Sequence, residues 1–279
     1  MSTSAYEFNA QDADVILRAP LRLGSDEFKD FHVHKLILSI ASIFFRDMFS
    51  LPQPPRDTSE DTKGLDIIGV SETANVLHNF LQLIYPVNPP VIEDLRLLDD
   101  LFQFADKYMV ESVTVKLKKL LVLPSLLMND PISVYAIAHH ANLKEATDMA
   151  ITHTFKIDLI GGISRTHLQL MTAEAYNSLL ASHAARRAEL ISVLDRVKPP
   201  SVNSGWCACG SGFYTGLRRD ITLALWESPF LDQQRLDSCS SNPVLLPKSM
   251  CGLVRPCRVS AQTISNHLAK ILEEVGKLG

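Results

Sequence analysis

The sequence predicts an α+β fold, with short strands packed against helices at the N-terminal end and a mainly α-helical extension after them. Three observations carry this. Between residues 13 and 33 apolar residues alternate with period two around β-formers, and from residue 34 the apolar spacing turns helical. Beyond residue 124 almost every readable stripe keeps the helical period. With 279 residues and a hydrophobic fraction of 46%, the chain can bury a sizeable core. Its charged fraction of 21% argues against disorder over most of its length.

Taken in order, Ala13 to Ala19 reads as a first strand. Gly24-Ser25-Asp26-Glu27 is a turn signal, and Phe28 to Val33 returns with period two, so the pair is expected to form a hairpin. Leu36, Ile37, Ile40, Ile43, Phe44 and Met48 follow helical spacing. Ser39 and Ser42 predict a break into two short helices, the second capped near Ser42. Residues 51–63 are rich in proline, charge and hydroxyls and read as a loop, before a third strand at Leu65 to Val70. Val76, Leu77, Phe80, Leu81 and Ile84 form a helical stripe that Pro86 ends, and Pro89-Pro90 fixes an extended connector. Further helices are expected around Leu95 to Ala105 and Val113 to Leu123.

In the second half, Asp130-Pro131 sets an N-cap and a first helical position. Two tightly joined helices follow, Pro131 to Ala141 and Leu143 to Lys156. The stripe Tyr176, Leu179, Leu180, Ala184, Leu190, Ile191 and Leu194 predicts a long helix. Residues 199–205 read as a hinge, Leu217 to Trp226 as a short helix, and Ile264 to Val275 as a closing one. Residues 229–260 show no clear period, and no repeat of solenoid or propeller type is visible.

The order of these elements over residues 13–122, together with several spaced motifs, resembles a BTB/POZ domain, of the fungal type. The motifs are Ala13-Asp14-Val15, Phe31-His32-Val33-His34-Lys35-Leu36-Ile37-Leu38 and Ser42-Ile43-Phe44-Phe45-Arg46-Asp47-Met48-Phe49. Phe80 to Tyr85 and Phe104-Ala105-Asp106-Lys107-Tyr108 complete them. Pro86-Val87-Asn88-Pro89-Pro90 and the Pro- and Asp-rich insert carry the fungal likeness. The signature residues are thus Asp14, His34, Lys35, Phe44, Phe45, Met48, Phe49 and Tyr85. The resemblance implies a BTB/POZ domain over 1–123 and a helical extension similar to the BACK type over 124–197. A cysteine-containing C-terminal region, partly irregular, would occupy 198–279.

The family likeness implies a non-enzymatic protein-interaction protein. Its partners would be proteins, including a second copy of the chain through the first strand and helix. A substrate-adaptor role toward a cullin ubiquitin ligase is also implied, but cullin-binding members commonly carry an apolar-x-Glu motif after Met-Phe. Here Leu51-Pro52-Gln53 has Gln for Glu and a proline inside, which argues against cullin binding. The likeness also implies a charged pocket made by Asp14 and Lys35. A buried Asp14 needs a cation, with Lys35 and Arg18 as candidates, whereas a strand-entrance Asp14 needs only water.

Charge and composition exclude other classes. Residues 1–122 carry 12 basic and 18 acidic groups, and the whole chain has a net charge of -4, so no nucleic-acid partner is expected. Polar Met1 to Gln11 lacks the pattern of a secretory signal, and no apolar run spans a bilayer. The chain is therefore expected in the cytoplasm or nucleus, without a membrane partner. The five cysteines, Cys207, Cys209, Cys239, Cys251 and Cys257, are the weak metal candidates. Cys207-Ala208-Cys209 and the five-residue gap before Cys257 fit zinc poorly, so buried or free thiols and no cofactor are expected; a metal-dependent regulator is the alternative.

His139-His140 point about 100° apart on a helix and are expected at a helix–helix junction. Arg186-Arg187 and Arg218-Arg219 are expected on solvated helix faces. No nucleophile elbow, phosphate loop or zinc-protease motif is present. The apolar stripes are first of all core stripes, and only a surplus left exposed after packing marks an interface.

Overall fold

The computed structural model describes residues 6–51, 64–198, 209–240 and 261–278. They divide into two compact units, Met1–Thr147 and Asp148–Gly279.

The first unit is built on a three-stranded sheet of order β2-β1-β3, made from β1 (Val15–Pro20), β2 (Phe28–Val33) and β3 (Asp66–Gly69). The hairpin pairs β1 and β2 antiparallel, with Arg18 opposite Asp30 and Leu17 opposite Phe31. β3 returns parallel to β1, placing Asp66 beside Val15. As the central strand, β1 is covered on both faces, which is why Val15, Ile16 and Leu17 run apolar without alternation. Residues 8–9 bridge to His32, and Phe8 reaches Phe31, His78 and Tyr85 with its ring.

α1 (Lys35–Ala41) and α2 (Ile43–Ser50) follow β2 and meet at Ser42. Ser42 is extended and accepts the Phe45 N–H through its side chain, so the expected break and cap are both present. Its hydroxyl donates to the Tyr108 carbonyl at 2.6 Å, a second bond made while only 1% exposed. α3 (Ala74–Ile84) stops at Tyr85, the residue before Pro86, which is held extended by the proline. α4 (Leu95–Lys107) and α5 (Glu111–Leu121) pack with α3, and α6 (Pro124–Asn129) leads to α7 (Pro131–His140). Asp130 caps α7 from the Ser133 N–H with Pro131 at the first position, as the dipeptide predicts. Residues 131–138 are all buried, so this stretch of α7 is enclosed on every side. α8 (Lys144–Thr154) then crosses the division between the units.

The second unit continues with α9 (Leu159–Gly162), α10 (Arg165–Leu170), α11 (Ala173–Arg196), α12 (Cys209–Glu227), α13 (Gln233–Ser240) and α14 (Ala261–Gly276). One core joins Leu190, Val193 and Leu194 of α11 to Ile221 and Leu225 of α12, Leu236 of α13 and Leu268 and Ile271 of α14. Residues on both sides of the 197/198 position therefore pack together. α12 begins eight residues before the expected Leu217, and α13 forms where no period is visible. No helix among the described residues is long and apolar enough to cross a membrane.

Candidate functional site

Five of the eight signature residues gather where β1 begins and α1 starts. α1 has no cap from its own His34 side chain. Asp14, just before β1, supplies one from across the fold by accepting the Lys35 backbone N–H at 2.7 Å. Its carboxylate is exposed, so the strand-entrance alternative holds and the buried pair with a cationic side chain does not. Lys35 Nζ turns instead to Asp66 on β3, 2.7 Å away, and lies 5.6 Å from the centre of the Phe49 ring. Arg18 forms a two-bonded pair with Asp30, both bonds 2.7 Å, and these hydrogen bonds hold the Asp30 carboxyl below its usual range. The parallel register of β3 decides the Lys35 partner, because it carries Asp66 to the start of β1.

His34 and Tyr85 form the other half of this corner. The Tyr85 hydroxyl accepts the His34 backbone N–H at 2.8 Å and lies 3.2 Å from His34 Nδ1. On the other side of the ring, His34 Nε2 faces Asp12 Oδ1 at 3.4 Å. Burial pushes the Tyr85 phenol up to about 12, against the opposing effect of the His34 bond, so it stays a hydroxyl.

The aromatic signature residues fix α2. Phe45 is fully buried and stacks on Tyr108 with centroids 5.2 Å apart and planes 2° apart. Phe49 stacks on its other side at 6.1 Å, and Phe44 meets Tyr108 edge-on at 5.3 Å. Phe104 and Phe80 continue the row behind Tyr108. Tyr108 O–H donates to Glu72, which also takes Lys107 at 2.6 Å. Burial would raise the Glu72 carboxyl, but these bonds outweigh it and hold it below its usual range. Met48 is half-buried on the same helix.

Residues 9–124 match the BTB/POZ domain model. This part of the chain is a BTB domain. No curated protein matches the chain. A BTB/POZ domain is a protein–protein interaction module, and here it consists of the small three-stranded sheet and its packed helices, followed by a helical region.

Among the apolar side chains that the BTB domain leaves exposed, some form a stripe on α1. Leu38 enters the core at 0% exposure, while Leu36 and Ile40, one turn apart on the opposite face, are 69% and 78% exposed. Ile43 and Phe44, just past the Ser42 break, continue the apolar surface at 50% and 40%. A helix with apolar residues on two faces, one of them left uncovered, presents surface suited to a protein partner. Asp66 carries no signal in the sequence, and Tyr108 stands there only within a helix motif. The β3 register brings in the first, and the stacking on Phe45 brings in the second.

The remaining candidates are placed as follows. Cys207, Cys251 and Cys257 lie outside the described residues, as do residues 199–205 and Pro52-Gln53. Cys209 opens α12, and no group of three or more possible metal ligands occurs among the described residues. Cys239 is half-buried on α13; burial, then the Asp220 carboxylate, push its thiol up, away from a reactive thiolate. His140 Nδ1 lies 3.2 Å from Asp99, joining α7 to α4 at a helix junction. Arg186 pairs with Glu189, Arg218 with Asp195 and Arg219 with Asp220, and Arg187 covers the Trp226 ring at 4.6 Å.

Proposed function

We propose that the chain is a non-enzymatic interaction protein whose BTB domain forms a homodimer through α1. The single observation that carries this is the Leu36–Ile40 stripe, two large aliphatic side chains more than two-thirds exposed on a helix whose other face is core. The homodimer is also the mode that the family likeness implies. A second copy is a self-complementary occupant, because an isologous contact lays the same apolar stripe against itself across a two-fold axis. In this reading residues 1–123 carry the interaction, with a helical extension over 124–197 and a C-terminal region over 198–279. The fungal assignment rests on Pro86 to Pro90.

Light scattering on the full chain tests the dimer. The wild type is expected at twice the chain mass at tens of micromolar. Each residue counts twice at a two-fold interface, so Leu36→Glu with Ile40→Glu should weaken the dimer at least about a hundredfold. Both side chains are exposed in the single copy, so the variant should keep its helical circular dichroism. A wild type that is monomeric under these conditions refutes the proposal, as does a variant that stays dimeric.

A further inference from the structure

The second unit holds a cavity of about 420 Å³ between the end of α11 and the facing sides of α12 and α14. That volume falls within the range of small-molecule sites, about 300–1,000 Å³. Its floor is apolar: Val197, Leu217 and Ile271 are each at most 5% exposed. One wall is made by the Tyr214 and His267 rings, 5.1 Å apart and nearly perpendicular. The charged groups stand at the mouth, where exposed Lys198, Arg218 and Asp195 line the opening. Arg218 is paired to Asp195, whereas Lys198 makes no ion pair among the described residues.

The mouth thus carries two cations against one carboxylate, over a floor that offers a ligand only apolar contact. Burial, then the charge of Lys270, hold the His267 imidazole below its usual range, so at neutral pH the wall is uncharged. A cationic ligand would meet the net positive charge of this mouth, and a neutral one would leave that charge unused. We infer that this cavity binds a small amphipathic carboxylate, whose apolar body lies on Val197, Leu217 and Ile271 while its carboxylate meets Lys198 and Arg218. This activity is separate from the BTB domain and independent of the dimer.

Calorimetric titration of octanoate into the full chain tests the site, with octanol and octylamine as probes of equal length and different charge. Saturable one-to-one binding of octanoate is expected, with octanol weaker by about tenfold and octylamine weaker still. Lys198→Gln with Arg218→Gln should lose about tenfold in octanoate affinity, and both positions are exposed, so the melting temperature should hold. Lack of saturable octanoate binding overturns the inference. So does equal affinity for octanol, or a double variant that binds octanoate like the wild type.

Discussion

At the scale of single residues, the buried polar side chains of Ser42 and His183 each bond to a residue on another element. Ser42 uses its hydroxyl both as acceptor for α2 and as donor to Tyr108, so one small residue ties the start of α2 to the end of α4. His183 on α11 is only 3% exposed, with Nε2 3.0 Å from Thr154 Oγ1. The single Thr154 hydroxyl proton goes to the Ile151 carbonyl at 2.6 Å, so His183 donates through Nε2–H. Burial, then the charge of Arg187, push the His183 imidazole down to about 4 from an ordinary 6.5. The unfolded chain therefore binds this proton before the folded one does, and stability must fall as pH drops from 6.5 through 4. The group's contribution is a loss of about 3 kcal/mol between pH 7 and pH 4. Urea unfolding at several pH values should show His183→Gln with a shallower loss than the wild type over that window. Equal slopes would mean that His183 titrates normally.

At the scale of elements, two helices end in the same way with different residues. α4 closes with Val110 N–H on the Ala105 carbonyl at 2.8 Å and Met109 N–H on Asp106, with Met109 at φ 53. α7 repeats this with Leu143 on Ala138, also 2.8 Å, and Asn142 at φ 54. Such an end favours glycine, tolerates asparagine, and strains a side chain such as methionine. Met109 is exposed, so Met109→Gly should raise the stability of the first unit by about 1 kcal/mol, while Asn142→Gly should change it less. Thermal melting of the two variants measures this, and a Met109→Gly variant less stable than wild type would contradict it.

Elements with local signals were legible in the sequence. The hairpin, the Ser42 break, the Pro86 stop and the Asp130-Pro131 start all depend on residues within a few positions of one another. Other elements depend on distant partners. Asp66 meets Lys35 only once β3 lies parallel to β1, and no local pattern carries that register. The N-terminal part of α12 contains Gly210, Gly212 and Gly216, which weaken a helix, and α13 shows too short an apolar pattern to be read without its core partners. α9 and α10 did leave a trace: Asp158 and Ser164 cap them, the second in a capping box with His167. A histidine in place of the usual Glu or Gln hides that box from a sequence search.

At the scale of the whole molecule, the chain combines a BTB domain with a helical unit that has its own core. The acidic, cysteine-free first part carries the exposed α1 stripe, and the cysteine-bearing last part carries the cavity beside Lys198. The central claim is that α1 is the surface on which two copies meet. Hydrogen exchange of the full chain at protein concentrations below and above the dimer midpoint tests this most directly. The account predicts that amides of Leu36 to Phe44 gain protection as concentration rises, while the buried strand β1 and the second unit stay unchanged. Exchange in α1 that is independent of concentration while the chain dimerises elsewhere would contradict it.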